Sequence, residues 1–255
     1  MSLLQHIHRG KRSAPRRVLV YGVHGVGKST FSTGAPGAIV IPTEDGLAEI
    51  DCESFPLATS CAAVMQALAT LYAEDHVFKT VVIDSLDWFE RLAWIEVCRQ
   101  RGVTNIEDIP YGRGYVFALT HWRELLEGLD ALRKDRGMMV VLTAHCRIER
   151  FADPEADSYD RYSPKLHKLA SALVQEWSDE LLFACYRVFT KQTDEGFNRK
   201  AVKGIGSGER ILRTTERPSH VAKNRLNLPD ELPLDWHTYA NYFTQPVSTN
   251  GGTNG

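Results

Sequence analysis

Short apolar runs rich in β-branched residues recur along the chain, and the stretches between them place hydrophobic residues at helical spacing. Residues 18–21, 38–42, 80–83 and 138–143 read as four strands, and 180–189 holds a fifth. Residues 61–73, 88–101, 115–133 and 165–177 read as helices, and a short helix starting at Lys28 is stopped by Gly34-Ala35-Pro36-Gly37. Strands alternating with helices predict an α/β fold with a mainly parallel central sheet flanked by helices. Trp88, Trp94, Trp122 and Trp177 lie in or beside the helices and are expected in the core. Beyond Thr190 the pattern turns Gly-rich, basic and hairpin-like, a C-terminal extension. Three regions result: a basic N-terminal arm over 1–17, a core with its extension over 18–240, and a disordered tail over 241–255.

Composition adds exclusions. The 255 residues are 43% hydrophobic and 24% charged, ordinary for one large α/β domain. No apolar run approaches the ~20 residues that span a bilayer, and the first residues do not form a signal peptide. No membrane partner and a cytoplasmic location are therefore expected. Cys52, Cys61, Cys98, Cys146 and Cys185 are scattered without CxxC spacing and read as reduced thiols. The net charge of −2 gives no global attraction to nucleic acid, but its distribution is uneven. Arg9, Lys11, Arg12, Arg16 and Arg17 precede Val18 with no acid among them, and residues 191–225 carry nine basic against four acidic side chains. Either segment is a binding patch or a solvated face.

The chemistry begins in 18–30. Gly22-Val23-His24-Gly25-Val26-Gly27-Lys28-Ser29 follows an apolar strand and opens a helix, as a phosphate loop must. Gly22, Gly25 and Gly27 let the backbone curl, so that the N–H groups of His24, Gly25, Val26, Gly27 and the following residues face a phosphate chain. Lys28 reaches the β/γ-phosphates, and Ser29, followed by Thr30, offers a hydroxyl to Mg²⁺. ATP with Mg²⁺ is the expected ligand. Asp84 ends an apolar strand, as the carboxylate that holds Mg²⁺ through water does, or caps the next helix. Glu44 and Asp45 end the second strand at the sheet edge that faces ligands, and Glu44 is a candidate base for the attacking water. His145 follows the fourth strand as a γ-phosphate sensor or a buried, hydrogen-bonded histidine.

This order of phosphate loop, Glu44, Asp84 and polar sensor resembles the RecA superfamily. Ile41-Pro42-Thr43-Glu44-Asp45-Gly46-Leu47 is similar to the recombinase segment whose Glu is the catalytic base, and Val82-Ile83-Asp84-Ser85 to its metal strand. The recombinase sensor is a Gln where this chain has His145. Val221-Ala222-Lys223-Asn224-Arg225 is similar to the segment whose two cations reach a neighbour's ATP, which implies trans-acting roles for Lys223 and Arg225. Over residues 9–236 the chain resembles phage-encoded RecA-like, AAA-type ATPases of the single-strand annealing family. Tyr159-Asp160-Arg161-Tyr162-Ser163-Pro164-Lys165-Leu166 and Ala222-Lys223-Asn224-Arg225 are the discriminating segments.

The resemblance implies a minimal RecA-like core that hydrolyses ATP, binds single-stranded DNA and promotes annealing or recombination. It also implies a homo-oligomer with ATP at subunit interfaces, with a single-strand DNA-binding protein as a further candidate partner. Two loops, mobile without DNA, are implied as the DNA contacts. The first, over 99–115, carries Arg101, Tyr111 and Arg113; the second, over 147–168, carries Phe151, Tyr159, Arg161, Tyr162 and Lys165. Aromatics beside cations suit strand binding, because bases stack while Arg and Lys take phosphates. A nucleotide kinase-like phosphotransferase, or a slow ATP switch in phage DNA metabolism or packaging, are the alternatives.

Overall fold

The structure is a computed structural model that describes residues 3–7, 10, 14–155, 157–195 and 199–244, with side chains outside 3, 5, 189–207 and 244. Of the basic arm, Arg9, Lys11 and Arg12 lie outside the described residues, as does the tail over 245–255. One sheet organises the chain, in the order β3 (Glu53–Ser54), β2 (Ala38–Pro42), β4 (Thr80–Asp84), β5 (Met139–Phe151), β1 (Arg17–Gly22), β7 (Glu180–Glu195), β8 (Arg199–Arg213), β9 (Glu231–Pro233). Pairing is parallel from β3 through β7 and antiparallel across β7, β8 and β9; β6 (Tyr159–Pro164) pairs antiparallel with β5.

Why the central strands are continuously apolar follows from the layers. Successive side chains of a strand point to opposite faces, and both faces here are covered by helices. Leu19, Tyr21, Val81, Ile83, Val140 and Leu142 pack towards α2 (Cys61–Ala73), α3 (Leu86–Arg101), α4 (Arg113–Asp135) and α5 (Lys168–Trp177). Val18, Val20, Val82 and Val141 pack on the other face with Phe31 of α1 (Lys28–Thr33) and with Trp236 and Tyr239 of α6 (Trp236–Thr244). The fold is the expected mainly parallel α/β sheet with a C-terminal antiparallel extension.

Several local expectations are corrected. The segment 147–168 is no simple loop: β5 runs on to Phe151 and returns through β6 as a hairpin, with Phe151 opposite Tyr159 and Glu149 opposite Arg161. Within 99–115, Ile106–Asp108 and Pro110–Gly112 form 3₁₀ turns, the first fixed by an Asn105/Asp108 capping box, and Ile106 and Ile109 are buried. Residues 241–244, assigned to the tail, continue α6, whose Trp236 and Tyr239 rings pack on Phe31. Trp88 is not a core residue. It is 38% exposed, with the Arg91 guanidinium 4.2 Å from its ring centre.

Candidate active site

β1 delivers the phosphate loop at its C-terminal end. Close packing decides the first glycine: a β-carbon at Gly22 would lie 2.0 Å from the Ala184 carbonyl oxygen of β7. Gly25 and Gly27 have φ of 71° and 103°, the left-handed region that side chains other than hydrogen disfavour. Val26 is buried beneath the loop, while His24 and Gly25 are exposed. Lys28 is buried, and its ammonium donates to the carbonyls of Gly22 (3.3 Å) and Val23 (3.1 Å). Burial pushes the Lys28 pKa down, and the Asp84, Glu44 and Asp87 carboxylates push it back up. Among the described residues no carboxylate forms an ion pair with this ammonium. A buried cation held only by loop carbonyls fits a site built for an anion, so the residues present suit a nucleoside triphosphate.

The carboxylates converge from the next strands. Thr143 of β5 donates its hydroxyl to Asp84 Oδ1, holding that carboxylate at the end of β4. The backbone N–H groups of Thr43 (2.7 Å) and Glu44 (3.4 Å) donate to the Asp84 carbonyl, and Thr43 Oγ1 donates to the Ser85 carbonyl (2.6 Å). Glu44 is thus fixed beside Asp84 by backbone bonds across the β2–β4 pair. Burial raises the Glu44 pKa, His145 opposes this, and Asp84 and Asp87 reinforce it. Such a carboxylate is a better proton acceptor than an exposed one. Ser29 and Asp84 would hold Mg²⁺, which when bound neutralises phosphate charge.

His145 sits at the centre of a network. Its backbone N–H (3.0 Å) and Nδ1 (3.1 Å) bond Asp87 Oδ1, Nδ1 also lies 3.0 Å from Oδ2, and Nε2 lies 3.1 Å from His24 Nδ1 of the phosphate loop. The two imidazoles are stacked with centres 5.2 Å apart. Burial works to raise the Asp87 pKa, but the bonds from His145 and from Ser85 Oγ outweigh it and hold it at about 2. Asp87 escaped the sequence reading. Its signal was its place in the first turn of α3, three residues after Asp84, where a carboxylate also suits the helix N-terminus.

A second buried carboxylate borders this network. Glu90 accepts the His167 backbone N–H at both oxygens (2.9 and 3.0 Å) and lines a cavity with Asp87, Trp94, Tyr115, Arg147 and His167. Burial raises its pKa to about 7, against bonding from His167 and the charge of Arg147. A carboxyl whose folded pKa exceeds its unfolded value stabilises the fold fully below the unfolded value and loses that contribution as pH rises through the folded one. Thermal stability is therefore expected to fall between about pH 4.5 and pH 7. Melting curves of the parent chain and Glu90→Gln across that range check it; the variant should lose this part of the slope.

The expected strand-binding residues fall into two groups. Arg101 and Arg113 both approach the Phe117 ring (3.9 and 5.4 Å), and Tyr111 is 99% exposed. On the hairpin, Phe151 and Tyr159 are in ring contact at 5.4 Å, and Arg161 lies 3.9 Å over Phe151. Lys165 is exposed at the hairpin base. Tyr162 alternates to the opposite face and stacks on Phe183 at 4.9 Å, so it packs inward. Strand alternation separates it from Arg161.

Lys223 and Arg225 lie at the other end of the sheet. Lys223 bridges to Leu181, which pairs with Leu19, about 10 Å along β1 from Gly22 at ~3.3 Å per residue. Lys223 Nζ donates to the carbonyls of Gln175 (3.0 Å), Glu176 (3.1 Å) and Ser178 (2.6 Å), closing the C-terminal end of α5. Arg225 Nη1 bonds Asp179 Oδ1 at 3.0 Å, a carboxylate also held by Arg17. Neither cation is near its own phosphate loop.

A strand-led phosphate loop, an Asp ending β4 beyond the intervening β5, and a Glu at the same sheet edge are the arrangement expected of a P-loop nucleoside triphosphatase fold. Among the described residues no helix is long and apolar enough to cross a membrane. Comparison with known proteins finds 26% identity over 219 residues to the SPbeta prophage-derived uncharacterized protein YorG of Bacillus subtilis (strain 168). The match covers 84% of this chain and 60% of that protein's length. The AAA domain family matches residues 14–226, from before β1 to beyond Arg225, and the chain belongs to that family.

Proposed function

We propose that this protein hydrolyses ATP with Mg²⁺, binds single-stranded DNA and promotes annealing or recombination of phage DNA, working as a homo-oligomer with ATP at subunit interfaces. The observation that carries the DNA reading is the continuity of β5. One strand holds Thr143 against Asp84, carries His145 against the phosphate loop through His24, and then runs into the hairpin of Phe151, Tyr159 and Arg161. A displacement of His145 on nucleotide binding is passed along a paired strand. Bases stacking on such aromatics contribute ~1–3 kcal/mol each while the cations take phosphates. The similarity to a prophage-derived protein supports the phage setting.

The test is single-strand affinity at fixed salt, with and without a non-hydrolysable ATP analogue, because phosphate contacts make affinity salt-dependent. The parent chain should bind more tightly with the analogue. His145→Ala should keep nucleotide binding and basal DNA contact but lose that gain. ATP turnover measured with and without single-stranded DNA separates this reading from a kinase or a slow switch, neither of which requires stimulation by DNA.

A further inference from the structure

Three side chains, from β7, β8 and the segment after β9, lie against the phosphate loop, and the mechanism above uses none of them. Tyr186 Oη of β7 donates to the Gly25 carbonyl at 3.3 Å. Arg210, paired with Tyr186 across β7–β8, brings Nη1 to 2.9 Å from the position of a β-carbon at Gly27. Leu234, whose N–H donates to the Arg210 carbonyl (3.0 Å), places Cδ2 3.7 Å from the same point. The loop is therefore flanked on this side by a phenol, a guanidinium and an aliphatic side chain.

Arg210 stands out by what it lacks. Of the described arginines on β7 and β8, Arg187 pairs with Glu209 (3.0 Å) and Glu231 (3.3 Å), and Arg213 pairs with Glu231 (3.7 Å). The exposed Arg210 guanidinium has no ion pair among the described residues, although Glu209 is its chain neighbour. A planar fork of donors beside Gly27 of the loop, with no carboxylate paired to it among the described residues, matches a phosphate ligand. Its level along the loop sets which phosphate. The glycine-rich backbone cradles the α- and β-phosphates, whereas Lys28 one residue later reaches the β/γ pair. Glu44, Asp84 and His145, which act at the γ end, come from strands on the other side of β1.

We infer that Arg210 is a phosphate-binding residue acting in cis at the α/β-phosphates, with Tyr186 positioning the loop through the Gly25 carbonyl. The inference rests on the nucleotide site proposed above and adds a contact that ADP and ATP share. It also gives the β7–β8 pair a role in closing the site.

Calorimetric titration of Mg·ATP and Mg·ADP into the full chain, Arg210→Ala, Arg210→Lys and Lys28→Ala tests it. Arg210→Ala should weaken both nucleotides about tenfold or more, Arg210→Lys should recover part of the loss, and the loss should shrink as salt is raised. A merely structural role would give neither the rescue nor the salt dependence. Unchanged affinities in Arg210→Ala, with Lys28→Ala still weakened, would overturn the assignment and leave the nucleotide site standing. A loss confined to ATP would also overturn it, placing the cation at the γ-phosphate. Unchanged affinities in both variants would remove the nucleotide site itself.

Discussion

Lys28→Ala is expected to abolish tight ATP binding, and Glu44→Gln to keep binding while losing turnover by ~10²–10⁴-fold. The two differ in when each side chain acts. Lys28 meets phosphates already in the ground state, from a buried position where burial lowers its pKa against three nearby carboxylates. Removing it leaves those carboxylates facing the incoming triphosphate without a cation. Glu44, as the proposed base, would act only when water attacks, so its amide should lose an interaction made in the transition state alone. A rate that depends on its ionised form should rise with pH along an acid limb above the usual carboxylate range, because burial raises the Glu44 pKa. Equilibrium binding and single-turnover hydrolysis measured on both variants check this. Normal hydrolysis by Glu44→Gln would move the base to Asp45 or elsewhere.

What could be read from the chain alone follows from how local each signal is. The strands at 18–21, 38–42 and 80–83 lie inside observed strands because a sheet covered on both faces demands continuous apolar runs. The helix over Cys61–Ala73 was legible to the residue from its apolar spacing, and the structure adds a Ser60 side chain that accepts the Ala63 N–H. β6 was missed because Tyr159-Asp160-Arg161-Tyr162 gains its strand character only from pairing with β5. α6 was missed because its aromatics become a stripe only against Phe31, some two hundred residues away in the chain. In the site, Lys28, Glu44 and Asp84 were legible because each sits in a short motif. Thr143, Asp87 and Arg210 were not, since each is defined by a partner distant in the chain.

Mixing Arg225→Ala protein with Glu44→Gln protein is expected to restore turnover that neither variant has alone. Arg225 lies level with Arg17 through Asp179, at the sheet end opposite its own phosphate loop, so any contact it makes with ATP is with a neighbour's. The side chain is 55% exposed, and Asp179, its ion-pair partner among the described residues, is a buried carboxylate that Arg17 still holds when Arg225 is removed. Lys223 differs, since three carbonyls hold its ammonium at the end of α5. Arg225→Ala should therefore act on turnover and Lys223→Ala chiefly on stability. A trans-acting cation stabilises transition-state charge and is worth ~10³–10⁵ in rate, which makes even partial rescue measurable. In a mixed assembly some interfaces pair an intact Glu44 from one subunit with an intact Arg225 from the next, and those sites should turn over. Absence of rescue in a mixture shown to co-assemble would confine Arg225 to its bond with Asp179 and return the whole active site to a single subunit.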